Sequence, residues 1–194
     1  MIHVKSFVFN PFMENTYVVY DDSRACVVID PGCYEGYEQN ELSSFIEQND
    51  LKVVKLLNTH CHIDHVLGNQ FVKDKYNVKL YVHPRDEEVL KAVKAYAPSY
   101  GFTHYEEATI DEDLQEGQEV TFGNTSLDVL FVPGHSPGHV AFVDHSSKKI
   151  IGGDVLFQGS IGRTDLPGGD HEKLIKSIQE KLFPLGDDYT VYCG

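Results

Sequence analysis

NTHCHIDHVLGN, residues 58–69, places three histidines and an aspartate within six positions: His60, His62, Asp64 and His65. Its first two residues close LKVVKLLNT (51–59), a mostly apolar run with two valines that reads as a buried strand. In an extended segment alternate side chains share a face, so His60, His62 and Asp64 project together from the strand end. His65 falls where the chain turns into a helical stretch and reaches the same space from another side. Imidazole nitrogens and carboxylate oxygens are donors that Zn²⁺, Fe and Mn accept. Cys61, by the same alternation, faces the other way. Six positions are too few to enclose an ion, so further donors must come from distant segments.

Two downstream segments offer them. VPGHSPGH (132–139) follows an apolar strand and carries His135 and His139, and IIGGDVLF (150–157) ends a strand at Asp154. A buried carboxylate without a cation is costly; beside a metal it is satisfied. His139, four residues after His135, reads as supporting or structural. Asp30 in IDPG (29–32) has two readings, a carboxylate that orients a ligand imidazole or a turn aspartate before Pro-Gly. Gly68 and Asn69 read as support for the turn into the helix. His3, His83, His104, His145 and His171 read as ordinary core or surface residues.

Around these motifs, strands are expected over 2–9, 16–20 and 25–30, then a helix over 37–49 with Leu42, Phe45 and Ile46 on one face. Beyond the quoted stretch, 66–77 reads as a helix, 78–83 as a strand and 84–97 as a helix with Pro84 in its first turn. Residues 98–116 lack a period and read as a surface excursion. Strands at 118–124 and 125–134 turn at Gly123-Asn124, and strands at 139–145 and 148–154 follow. A glycine-rich loop (159–170), a helix (171–183) and a final strand (188–193) complete the chain. Strands with interspersed helices suit an α/β layered sandwich, in one domain over 1–194, better than an alternating Rossmann pattern.

Composition narrows the partners. A formal net charge of −14 on 194 residues argues against nucleic acid and anionic membranes. No apolar run approaches the ~20 residues of a membrane span, and the alternating MIHVKSFVFN is unlike a signal peptide. Four cysteines without a CxxC pair read as free thiols of a cytoplasmic protein. These features are compatible with a small-molecule substrate; oligomeric state is not encoded in any of them.

THCHIDH, PGHSPGH and GGD, in that order, resemble the metallo-β-lactamase superfamily. ENTYVVYDDSRACVVIDPG and GDVLFQGSIGRTDLPGGD narrow the resemblance to compact hydrolases related to glyoxalase II (hydroxyacylglutathione hydrolase). The resemblance implies an αβ/βα four-layer sandwich with two divalent ions at one edge, zinc first, with iron or manganese as alternatives. His60, His62 and His135 would hold the first ion, Asp64 and His65 the second, with Asp154 bridging. The family adds a histidine after a short strand; DYTVYCG reaches Gly194 where that residue would come next. The expectation is therefore a short tail beyond residue 194, and a second ion held less tightly by these 194 residues.

The implied reaction is thioester cleavage, for instance of S-D-lactoylglutathione, by a metal-bridging hydroxide oriented by Asp64. A thiolate leaves with little acid assistance, which fits the absence of an obvious general acid. Arg163 in GSIGRTDLPGG has two readings, a contact to an anionic end of the substrate or an ion pair with Asp165 or Asp170. The alternative reaction is that of a persulfide dioxygenase of the same fold, with one iron on His60, His135 and Asp154.

Overall fold

The computed structural model describes all residues, 1–194. The chain forms β1 (His3–Phe9), β2 (Glu14–Tyr20), β3 (Ala25–Ile29), α1 (Gly36–Gln48), β4 (Lys52–Leu57), α2 (Ile63–Val66), α3 (Asn69–Tyr76), β5 (Leu80–Val82) and α4 (Glu87–Tyr96). It continues with β6 (Glu112–Asp113), β7 (Glu119–Phe122), β8 (Thr125–Phe131), β9 (Val140–Asp144), β10 (Lys149–Gly153), β11 (Leu156–Phe157), β12 (Ser160–Ile161), α5 (His171–Ser177) and β13 (Thr190–Cys193).

The central strands are apolar on both faces, and this dictates layering. In β3, Val27 and Ile29 point into the space between two sheets, whereas Cys26 and Val28 point to the helical side. Leu57 and Leu56 of β4 divide in the same way. In β9, Phe142 faces the other sheet while Ala141 and Val143 face α5. A strand buried on both faces needs a cover on each. The first sheet runs in the order β1-β2-β3-β4-β5-β6 and the second β13-β10-β9-β8-β7. Apolar residues of α1, α3 and α4 cover the outer face of the first, and those of α5 cover that of the second. The result is the expected αβ/βα four-layer sandwich. No helix is long and apolar enough to cross a membrane.

Several local expectations need correction. The helix expected over 66–77 starts only at Asn69, as α3. Helix α2 precedes it over Ile63–Val66, so Asp64 lies in a helical turn rather than in an extended segment with His60 and His62. The two helices are separated at Leu67-Gly68. There the Gly68 amide donates to the Pro31 carbonyl at 2.7 Å. A Cβ on Gly68 would lie 2.5 Å from Cys33 Sγ, so only glycine lets the chain pass. Residues 98–116 are not a surface excursion throughout: Phe102, Ala108 and Leu114 are buried, and β6 extends the first sheet. Their burial follows individual packing contacts, with no helical or strand period to reveal it. The glycine-rich loop opens as a small hairpin, β11 against β12. The last helix leaves α-geometry after Ser177, continuing as π turns over Ile178–Leu182 and a 3-10 turn over Phe183–Leu185. Pro184, with no amide hydrogen, cannot extend an α-helix there.

Candidate metal centre

Strand ends build the centre. β3 and β4 run parallel, so their C-terminal ends lie on one edge and deliver Asp30 and the segment 58–62 together. On the second sheet, the β8–β9 connection carries His135 and the end of β10 carries Asp154. The two halves are stitched where Val140 N donates to Thr59 O at 2.8 Å. β13 runs parallel to β10 and brings Gly194 alongside, its amide donating to Gly153 O at 2.9 Å. Gly153 lets the two halves meet closely: its φ is 52°, and a Cβ there would lie 2.4 Å from Thr59 Oγ1.

All six donors singled out in the sequence converge. The ring nitrogens of His60, His62 and His135 lie within 4.8 Å of one another. His62 Nδ1 and His135 Nε2 face each other at 2.9 Å. Asp154 looks both ways, with Oδ2 3.4 Å from His135 Nε2 and Oδ1 3.4 Å from His65 Nε2. Asp64 Oδ2 stands 3.7 Å from His65 Nε2. His60 Nε2 and Asp154 Oδ1 are buried with no hydrogen-bond partner. Orphaned buried polar atoms are rare and costly, and these two are lone-pair donors within the same cluster of side chains. The residues fit divalent metal ions. Asp30, His60 and His65 also cluster, but Asp30 has other partners.

Electrostatics favour the same use. Burial, reinforced by neighbouring imidazoles, holds His60 well below the usual histidine range and pushes His62 down to about 3. Burial also lowers His135 and His139. Neutral imidazole is the form that donates to a metal. His65 is the exception: burial opposes its charge, yet Asp64 and Asp154 hold it well above the usual range. Asp154 is half-buried; desolvation acts to raise its carboxyl, but His65 and His135 pull it below the usual carboxylate range. Burial raises Asp64, with His65 acting against the rise.

Around the donors lies a supporting ring. Asp30 Oδ1 accepts from Thr59 N at 2.7 Å, and Oδ2 accepts from Thr59 Oγ1 at 2.5 Å. The same Oδ2 is 3.2 Å from His65 Nδ1. Asp30 thus touches His65, and with a φ of 50° it also forms the turn before Pro31-Gly32, so its geometry agrees with both sequence readings. Asn69 Nδ2 donates to Asn58 Oδ1 at 2.8 Å, and Asn58 Nδ2 donates to His65 O at 3.1 Å, which fixes the turn. His139 stacks on His60, centroids 4.6 Å apart, and its Nε2 accepts from Asp154 N at 3.1 Å. Cys61 is buried in the helical-side core, away from the donors.

Arg163 sits on the rim. Its guanidinium forks onto Asp165 with two contacts of 2.7 Å, while its backbone carbonyl lies 2.7 Å from His135 Nδ1. The carbonyl is the atom that touches the centre, a role no side-chain reading announces. Glu14 and Asp86 were also not singled out by the sequence. Glu14 is buried, and burial keeps its carboxyl well above the usual range despite His65 Nδ1 at 4.0 Å. Of the remaining histidines, His83 stacks on Phe131 and accepts from Arg85 N, whereas His3 and His145 sit in exposed pairs with Asp22 and Asp128.

Asp30→Asn should destabilise the metal-free protein by about 2 kcal/mol, because a charged acceptor of buried Thr59 donors becomes a neutral amide. Denaturant unfolding with and without the substitution measures it; a change below about 0.5 kcal/mol would contradict the role.

Residues 9–194 match the family model described as the metallo-beta-lactamase superfamily. The chain is 37% identical over 185 residues to hydroxyacylglutathione hydrolase GloC of Haemophilus influenzae, covering 94% of this chain and 85% of that protein. It is 37% identical over 187 residues to the probable metallo-hydrolase YqgX of Bacillus subtilis, covering 95% and 85%. Among solved structures, the BLEG-1 B3 metallo-beta-lactamase superposes with a TM-score of 0.89 at 33% identity, covering 100% of this chain and 91% of that one. TTHA1623 in a di-iron-bound form follows at 0.86 and 32%, covering 98% and 91%. ETHE1 from Myxococcus xanthus, at 0.79 and 21% identity over 99% and 75%, shares the fold. Fold and sequence thus lead to one conclusion: the chain belongs to the metallo-β-lactamase superfamily, as a metal-dependent hydrolase.

Proposed function

We propose that this hydrolase cleaves a thioester, S-D-lactoylglutathione or a close analogue, with residues 1–194 acting as one domain. The observation that carries the reading is Asp154 facing both His135 and His65, which joins a three-histidine pocket to a second pocket made by Asp64 and His65. The similarity to GloC supports the thioester as substrate class. Zinc is the first candidate metal; the di-iron form of TTHA1623 makes iron the alternative. Four free cysteines support a reducing, cytoplasmic setting.

Divalent ions bound here would supply a Lewis acid for the carbonyl oxygen and lower the pKa of water. His60, His62 and His135 would hold one, Asp64 and His65 the other, and Asp154 both. The remaining work falls to the protein's own groups. His139 and Asp30 keep His60 and His65 in register, and the Arg163 carbonyl fixes which nitrogen of His135 carries its proton. Asp64, reachable at the mouth with 22% of its side chain exposed, can accept a proton at a carboxylate oxygen. The departing thiolate, from a thiol of pKa about 8.5, needs no dedicated acid.

Arg163 and Asp165 are both exposed, so their pair is weak and the guanidinium is free to exchange partners. Arg163→Ala should raise KM about 5-fold with kcat retained, equivalent to about 1 kcal/mol of ground-state binding. Steady-state kinetics on a lactoyl thioester reads this; an unchanged KM removes Arg163 from the substrate site.

A persulfide dioxygenase remains the second reading, on the 3.4 Å approach of His135 to Asp154 beside His60 as a one-metal set. Hydrolysis of S-D-lactoylglutathione, followed by thiol release, and oxygen uptake on glutathione persulfide separate the two. Thiol release without oxygen uptake is the expected result, and the reverse would overturn the proposal.

A further inference from the structure

Asp86 occupies the turn Pro84–Asp86 that leads into α4, a place where a charged residue would ordinarily be solvated. It is instead fully buried, at 0% exposure. Its Oδ2 accepts from Cys61 N at 2.7 Å. Its Oδ1 accepts from Ser136 Oγ and from Gly138 N, both at 2.6 Å. Cys61 lies between His60 and His62; Ser136 and Gly138 lie just after His135. One carboxylate therefore grips the backbone of one donor segment and two groups of the other.

We infer that Asp86 is a positioning residue that fixes the separation and relative rotation of the segments carrying His62 and His135. The inference rests on the reading that these two histidines share an ion. Asp86 supplies a further tie between their segments. The two segments are already joined by the bond from Val140 N to Thr59 O. A single hydrogen bond lets the segments pivot about it, whereas a second contact, on the far side of His60, removes that freedom. The 2.9 Å approach of His62 Nδ1 to His135 Nε2 lies beyond both ties and depends on them.

Charge is suited to this task, because a carboxylate presents enough lone pairs for three short donors and its bonds are stronger than neutral ones. Gly138 completes the arrangement. A Cβ there would lie 2.5 Å from Asp86 N and 2.8 Å from Asp86 Oδ1, so a side chain at 138 would force the carboxylate away. The same contact can thus be tested from two sides.

The test is titration of the metal-free protein with Co²⁺, reading the visible ligand-field band and competition with a chromogenic chelator, alongside thermal unfolding. Asp86→Asn should weaken the first equivalent about 10- to 100-fold, as loss of groups behind the ligands does, and should shift the band. Unfolding of the metal-free variant should stay cooperative. Gly138→Ala should shift the band in the same sense, and Ser136→Ala, which removes one of three donors, should show a smaller shift. If Asp86→Asn does not fold, the Ser136 and Gly138 variants decide. Folded variants that bind Co²⁺ within threefold of the parent, with an unchanged band, would overturn the Asp86 assignment alone. A parent protein that does not bind Co²⁺ would overturn it together with the metal-centre reading.

Discussion

Asp64→Asn is expected to lower turnover of a thioester by about 10²-fold or more, even with metal restored in excess. The substitution is nearly isosteric, so packing around α2 changes little. What it removes is an acceptor and a charge. Asparagine cannot take up a proton at this position and would turn an amide nitrogen toward His65 or toward the cleft. The carboxylate is partly exposed at the mouth with Oδ2 3.7 Å from His65 Nε2, where a donor beside a bound substrate can reach it. An interaction used in the transition state should depress kcat and kcat/KM alike. Metal content, measured on the same sample, separates this chemical loss from a loss of ions. Near-parent turnover in a metal-loaded variant would sink the assignment of Asp64 to the reaction and weaken the hydrolytic reading.

Phe142→Ala is expected to cost about 3–5 kcal/mol of stability, the range for deleting a large buried aromatic side chain. Phe142 sits in β9, the middle strand of the second sheet, opposite Val129 of β8 and Ile151 of β10. It is completely buried between the two sheets. Hydrogen-bonded sheets above and below cannot close on the space left behind, which places the loss toward the upper part of the range. Equilibrium denaturation of the metal-free protein measures it. A loss below about 1.5 kcal/mol would mean that the inter-sheet core is not close-packed at this point.

The two effects bear on different layers of what could be read from the chain. Donor side chains were legible because ligand-type residues crowd the end of one buried strand and because GH and GGD mark further strand ends. The extended alternation expected through Asp64 stops at His62, where α2 begins. Layering was legible where strands are apolar on both faces, as in KVVKLL and VAFVD. Contacts between residues distant in sequence were not. Asp86 is 25 residues from Cys61 and 50 from Ser136, and nothing in PRDEEV signals burial. The guanidinium of Arg163 is what its sequence context advertises, yet its carbonyl meets His135, and every residue has a carbonyl. The break at Gly68 depends on Cys33 and Pro31 packed against it, so local helix propensity could not reveal it. The contacts of Asp30 with Thr59 and His65 span 29 and 35 positions, which no local reading of IDPG reveals.

Anomalous diffraction at the metal edge, from crystals of protein purified without chelator, tests the central claim most directly. One peak is expected among His60, His62 and His135, and a second beside Asp64 and His65, with Asp154 between them and nitrogen or oxygen donors at about 2.0–2.2 Å if the ion is zinc. Peaks located elsewhere in a metal-replete crystal, or coordination that leaves out His60 and His135, would contradict the account.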